Sequence, residues 1–433
     1  MMKKILLVIV LFLPLIGWSD TYSLQQCIEV AYANSLDLRA GQLSNESKQL
    51  LYRQAWYNLS PGINGYIGES FSFGRSTGVD NIIRAQNIAN TGIGVSADLV
   101  LFDGLAMKFN IDEAKANKLA GEANLETVQR NVALNVTSLY LDVLLKKELA
   151  MIAQKQLEET GRQVERIRAQ VEAERLPEGE LYAIEAQYST ENYQLLQANN
   201  NVRLALLNLT QGIDIPYSED FDIIMPSKEE LDGPLLPDRD EVWQTALSHR
   251  PEIREAEYNI QAAETALKTS KAAYSPKLSA NAGVSTSYYH LFGSNNAAFG
   301  KQLSDNLTAN VALNLSIPIF NRMQTPTQVK QKRLNIESAE VKLEQTRKKL
   351  QKEIDQAYYN AQAAQQEKIS ARQSARSQSE AERYAAEKYT AGRATAYEYS
   401  QAKQKQMEAE SQYLRARYNY LFKVRILEYY MGL

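Results

Sequence analysis

From Leu278 to Tyr288 the chain alternates, with Leu278, Ala280, Ala282, Val284, Thr286 and Tyr288 on one side and Ser279, Asn281, Gly283, Ser285 and Ser287 on the other. Successive side chains of a strand point to opposite faces, so this run predicts a β-strand with one apolar and one polar face. Leu307, Ala309, Val311, Leu313, Leu315 and Ile317 repeat the pattern, as do Ile93, Val95, Ala97, Leu99 and Leu101; a fourth run, Ile63 to Phe73, alternates less cleanly. Each run is about as long as the 9 to 11 residues of a tilted transmembrane strand. Phe71, Phe73, Tyr288, Tyr289 and Phe292 fall at the loop ends, and Phe102 and Phe320 at the opposite ends, as two interfacial aromatic girdles require.

Between the strand pairs the period changes. Val136, Val143, Ala150, Leu157, Val164 and Val171 recur every seven residues, with Val132, Leu139, Ala153 and Ile167 at intervening seam positions. No proline interrupts Leu105 to Arg175, which as one helix is a rod of roughly 105 Å, longer than a compact domain is wide. The pattern predicts helices packed along a coiled-coil seam. A later stretch carries Ala357, Ala364, Ala371 and Ala385 at heptad spacing, small residues that let neighbouring helices approach closely.

The chain is written twice. A shift of 215 residues lays Ala31-Tyr-Ala-Asn-Ser-Leu-Asp-Leu-Arg39 on Ala246-Leu-Ser-His-Arg-Pro-Glu-Ile-Arg254, and a shift of 218 lays Leu101-Phe102-Asp103 on Ile319-Phe320-Asn321. Each copy reads helix, strand, loop, strand, long helix, turn, helix, giving a first repeat over 20–213 and a second over 239–433. Residues 214–238 carry Pro216, Pro226, Pro234 and Pro237 and are expected to be the linker. Met1, Met2, Lys3 and Lys4 followed by an apolar run from Ile5 to Trp18 predict a signal peptide over 1–19, cleaved near Ser19.

No later apolar stretch is long enough for a membrane helix, so any crossing falls to β-strands in a closed barrel. Four strands cannot close alone. Two chains would supply eight and three would supply twelve, and arithmetic does not choose between them. With 48 basic and 51 acidic residues the net charge is -3, which offers no basic field for nucleic acid. His249 and His290 are the two histidines and Cys27 the one cysteine. Neither histidine has a partner at ligand or nucleophile spacing, so no metal, no cofactor and no catalytic residue is expected, and Cys27 reads as a lone unpaired thiol.

Taken in order, these features resemble the TolC-type outer-membrane efflux family along essentially the whole mature chain. Beyond the doubled layout, Ala391-Gly-Arg-Ala-Thr-Ala-Tyr-Glu-Tyr-Ser-Gln-Ala402 resembles its helix-turn-helix tip, Arg417-Tyr-Asn-Tyr-Leu421 part of its last helix, and Leu101-Phe-Asp-Gly104 its strand-to-helix junction. The resemblance implies an α+β membrane protein: a homotrimer whose twelve-stranded β-barrel, four strands per chain, sits in outer-membrane lipid and continues into a long periplasmic α-helical barrel. It implies a passive exit duct, driven by an inner-membrane pump through a periplasmic adaptor docked on the tips, and no enzymatic activity. Carried over by position, Tyr389 matches a gating tyrosine, Glu398 an acidic ring and Glu180 an acidic gating partner. The gating arginine falls on Ala394, with Arg393 beside it. Glu174 stands where the first tip would have a glycine matching Gly392, so the implied docking tip comprises Glu174, Arg175, Leu176, Ala391, Gly392 and Ala394. The competing readings are a periplasmic adaptor, which should have one hairpin flanked by small β-rich domains, and a structural coiled coil, which leaves the strands unexplained. The loops from Gly74 to Asn90 and from Phe292 to Asp305 are expected to face the cell exterior.

Overall fold

A computed structural model describes residues 21–77, 82–225 and 235–432. The expected signal peptide lies outside the described residues. The first repeat folds as β1 (Thr21–Tyr22), α1 (Leu24–Asn34), α2 (Leu36–Tyr57), β2 (Gly62–Ser72), a small hairpin of β3 (Arg75–Thr77) and β4 (Ile83–Ala85), β5 (Ile88–Phe102), α3 (Ala106–Glu172) and α4 (Glu178–Gly212). After β6 (Asp222–Ile223) the second repeat runs α5 (Arg239–His249), α6 (Pro251–Ala272), β7 (Lys277–Leu291), α7 (Phe299–Asp305), β8 (Thr308–Ser316), α8 (Gln324–Thr390) and α9 (Ala396–Met431). Corresponding helices match in length: α1 and α5 have 11 residues each, α2 and α6 have 22, and α3 and α8 have 67. At 1.5 Å per residue each of the longest helices is about 100 Å.

The helix starts follow from local chemistry. Ser23 and Gln26 form a capping box before α1, the Asp238 side chain accepts from the backbone N–H groups of Asp240 and Glu241 before α5, and Thr395 and Glu398 form a second capping box before α9. Pro251 occupies the first position of α6, where its missing N–H costs nothing.

The chain divides into two compact units, and each draws on both repeats. One, Gly41–Thr127 with Pro251–Lys349, holds an antiparallel sheet in the order β2-β5-β7-β8. Ile63 pairs with Ala97, Ala97 with Ala282 and Ala282 with Val311; one residue along, Asn64 pairs with Ser96, Ser96 with Gly283 and Gly283 with Asn310. Paired residues share a face, so the alternation expected from the sequence becomes one apolar and one polar face of the sheet. The apolar face is open, with Val311 83% and Ile67 78% exposed. Among the described residues neither β2 nor β8 has a second partner strand.

Two features of this unit go beyond the expected loops. The loop after β2 contains the β3–β4 hairpin. The loop after β7 contains α7, which is tied to its strand by Thr286 Oγ1 donating to the Leu303 carbonyl at 2.7 Å, by Gln302 bonding both backbone groups of Tyr289, and by the Tyr288–Phe299 ring contact at 5.0 Å. His290 sits half-buried at this rim against Phe292, while His249 is exposed at the end of α5. At the strand-to-helix junctions Gly104 and Leu105 have φ of 69° and 71°, and Arg322 and Met323, the residues 218 later, have φ of 55° and 61°. A Cβ on Gly104 would lie 2.6 Å from the Ser275 Cβ, so close approach as well as backbone conformation selects glycine there.

The other unit comprises, among the described residues, 21–40, 128–225, 235–250 and 350–432. Val136, Val143, Ala150 and Val164 are buried along α3, as the heptad requires, and Ala357, Ala364 and Ala371 along α8. Cys27 and Ala31 of α1, Leu209 of α4 and Leu421 of α9 join the main core cluster. Burial pushes the Cys27 thiol up to about 12. Within the expected linker, β6 pairs in parallel with β1, and Phe221 and Ile223 are buried in the same core; residues 226–234 lie outside the described residues.

Candidate functional site

The residues singled out by the family resemblance cluster where each long hairpin turns, α3 into α4 and α8 into α9. Both turns close in the same way. Glu174 has φ of 55°; its N–H bonds the Val171 carbonyl, and the Arg175 N–H reaches back to Gln170, each at 2.8 Å. Gly392, 218 residues later, has φ of 68°, with N–H bonds from Gly392 to Tyr389 at 3.0 Å and from Arg393 to Lys388 at 2.8 Å. This is the Schellman closure, which satisfies the last helical carbonyls through one left-handed residue. In the first copy a glutamate carries a conformation suited to glycine.

The two turns differ at the start of the returning helix. Thr395 precedes α9 and its capping box engages Glu398: the carboxylate accepts from the Thr395 N–H at 2.9 Å and from Thr395 Oγ1 at 3.2 Å. These bonds hold the Glu398 carboxyl below the usual glutamate range. Pro177 stands in Thr395's place before α4 and has no side chain to cap with. Glu180, equivalent to Glu398 by the same shift, makes no side-chain hydrogen bond or ion pair among the described residues. Its charge acts on Tyr389 instead, whose phenol is raised first by burial and then by Glu180, with Arg166 opposing.

The Tyr389 ring stacks on that of Tyr399, centroids 5.5 Å apart and planes within 7°. Gln163 Nε2 of α3 donates to the Tyr399 hydroxyl at 3.1 Å. Burial is the main cause that raises the Tyr399 phenol to about 12. A cavity of about 90 Å³ opens beside the stacked rings, lined also by Gln163, Arg166 and Ile167. The structure thus sets the Glu180 charge within electrostatic reach of Tyr389, while no such interaction joins Arg393 or Glu398 to that tyrosine. Arg393 is exposed and its guanidinium forms no ion pair among the described residues. Of the remaining turn residues Glu174, Arg175, Ala391 and Gly392 are exposed and Ala394 is half-buried, whereas Leu176 turns inward against Val164, Ile167 and Ile184.

Sequence reasoning missed Gln163, Tyr399 and Arg166, and also Arg168, which bonds Glu165 of its own helix at 2.8 Å and joins α3 to α4 by bonding Glu185 at 3.0 Å. Their spacing does not mark them, because the interactions that join them to the turns, Gln163 with Tyr399, Arg166 with Tyr389 and Arg168 with Glu185, cross between helices.

A family model described as outer membrane efflux protein matches residues 27–213 and 242–433. Among curated proteins the chain is similar to the outer membrane efflux protein BepC of Brucella suis, 24% identical over 294 residues that cover 66% of this chain and 61% of that protein. It is also similar to the cation efflux system protein CusC of Escherichia coli, 26% identical over 357 residues that cover 79% of this chain and 70% of that protein. The match thus spans about 61% of the length of the first of these relatives. Among solved structures, a CusC crystal structure superposes with a TM-score of 0.77 at 19% identity, covering 94% of this chain and 91% of that one. The open-state outer membrane channel MtrE of Neisseria gonorrhoeae gives 0.73 at 20%, covering 94% and 88%. At these identities the likeness is one of fold.

Proposed function

The chain belongs to the outer membrane efflux protein family, and from that membership we propose that it is the outer-membrane exit duct of a tripartite efflux or secretion system. Three copies join their four-stranded sheets into a twelve-stranded barrel in the outer membrane, and their long helices form a periplasmic tunnel. The duct is passive and performs no covalent chemistry. An inner-membrane pump supplies the energy, acting through a periplasmic adaptor that docks at the hairpin turns, where Glu174, Arg175, Ala391 and Gly392 are exposed. The two sequence repeats, 20–213 and 239–433 joined through 214–238, are on this reading the two halves of one protomer.

One observation carries the proposal: a sheet of four strands with an uncovered apolar face and two unpaired edge strands, β2 and β8. An unpaired edge in lipid leaves backbone groups without partners at several kcal/mol each. Pairing β8 of one copy with β2 of the next removes both edges. A periplasmic adaptor would not need membrane-length strands or two long hairpins.

At the resting turns, Tyr389 and Glu180 act within a protomer. Arg393, which forms no ion pair among the described residues, and Glu398 supply charge toward neighbouring copies. The mass of the intact complex in detergent tests the assembly. A trimer that stays with the outer membrane through a high-salt wash is expected. A stable monomer, or a dimer with an eight-stranded barrel, refutes it.

A further inference from the structure

Between the apolar stretches of the α3 seam lies a polar interruption. Gln156 and Thr160 are buried on α3, and opposite them lie Glu191 of α4 and Lys403 of α9, each only 4% exposed. Lys403 Nζ donates to Thr160 Oγ1 at 2.7 Å and to the Gln156 carbonyl at 3.4 Å. Gln156 Nε2 and Gln187 Nε2 both donate to Glu191 Oε1, each at 2.9 Å, and Ser400 bonds Gln187. Gln156 Oε1 and Glu191 Oε2 are left without a partner.

An ammonium out of water is tolerated where opposite charge surrounds it. Burial lowers the Lys403 pKa, and three carboxylates act the other way: Glu191 of α4, Glu159 of α3 and Glu382 of α8. One cation therefore serves an acidic group from each of the other three helices, and those helices belong to both hairpins. The cluster also lies directly behind the stacked tyrosines. α3 and α9 run antiparallel, so Lys403–Thr160 and Tyr399–Gln163 are successive rungs between them, one helical turn apart. Tyr399 in turn carries Tyr389.

We propose that Lys403 is the positioning residue of the periplasmic gate: by holding Thr160 and Gln156 together with the surrounding carboxylates, it pins the start of α9 to the first hairpin and so keeps Tyr399 stacked on Tyr389. This rests on the duct reading above. A seam that only needed to pack would continue with the apolar residues found on either side, Ala150 and Val164. A polar cluster in their place adds register, and it can be undone by removing one charge.

The test is single-channel recording of the detergent-purified oligomer in planar bilayers. Lys403→Met keeps the length of the side chain and leaves Glu191 as a buried carboxylate without its counter-charge. It is expected to raise the open population about tenfold. Adding Glu191→Gln to that variant removes the stranded charge and keeps an acceptor for Gln156 and Gln187; it is expected to recover thermal stability while the channel stays open, because the Lys403 bonds to Thr160 and Gln156 are still missing. If Lys403 served stability alone, the opening would disappear together with the stability loss in the double variant. Thr160→Val, which loses one hydroxyl at nearly constant volume, is expected to open the channel to a smaller degree and supplies the test if Lys403→Met does not assemble. Parent-like conductance in Lys403→Met, or in Thr160→Val where that variant stands in for it, overturns the proposal, as does an open Lys403→Met channel that Glu191→Gln closes again. A parent protein that forms no channel at all refutes the duct reading instead.

Discussion

Glu180 and Glu398 show how one neighbouring residue changes what a carboxylate does. Both are third residues of a returning helix, yet threonine precedes one helix and proline the other. Thr395 draws the Glu398 carboxylate into a cap and lowers its pKa. A carboxyl depressed in the folded state contributes stability that is present above its unfolded value, about 4.3, and lost as the pH falls through the folded one. The first turn of α9 should therefore loosen in acid, seen as faster amide exchange at Glu398. Glutamine also completes a capping box, so Glu398→Gln should hold this turn with no acid dependence of its own while weakening the cation preference of the channel. If the parent and this variant loosen alike as the pH falls, the cap is not what holds the turn.

At the scale of elements, helix lengths and turn conformations repeat between the two copies although the side chains do not. α3 and α8 share a length of 67 residues, and both hairpins close through a left-handed residue, glutamate in one and glycine in the other. A side chain in that conformation costs about 1 to 2 kcal/mol. Glu174→Gly should therefore stabilise the first turn by about 1 kcal/mol, read as slower local hydrogen exchange around Arg175. Beyond its chain neighbours, no atom of the described residues lies within 4 Å of a Cβ built on Gly392, so the cost of Gly392→Ala would come from the backbone alone. The long elements were legible because their periods run for many turns or residues. The β1–β6 pair, the β3–β4 hairpin and the seven-residue α7 were not, because segments so short hold too few residues to display a period and depend on what they pack against.

For the whole molecule the sheet sets the terms. On the duct reading the β2–β5 and β7–β8 loops lie beyond the membrane on the outer side. A cysteine at Ser76, in β3, or at Asn295 should react with an impermeant maleimide in intact cells. The native Cys27 is buried with a raised pKa and should stay silent as background. Labelling that requires a breached outer membrane would reverse the orientation.

What the sequence determined by itself was whatever repeats locally. Alternation marked the strands and their two faces, seven-residue spacing marked the seam, the absence of proline marked the rods, and self-similarity marked the two copies; each is a property of neighbouring residues. It also held an unused sign, since Thr160 takes the seam position between Ala153 and Ile167, and Lys146 the one between Leu139 and Ala153, where the series calls for apolar residues. Only the tertiary structure decided that Lys403 meets Thr160, that Glu180 acts on Tyr389, and that Arg393 stays apart. Those outcomes depend on the register of antiparallel helices whose facing residues lie more than 200 positions apart in the chain, and no local pattern encodes a register between segments so distant.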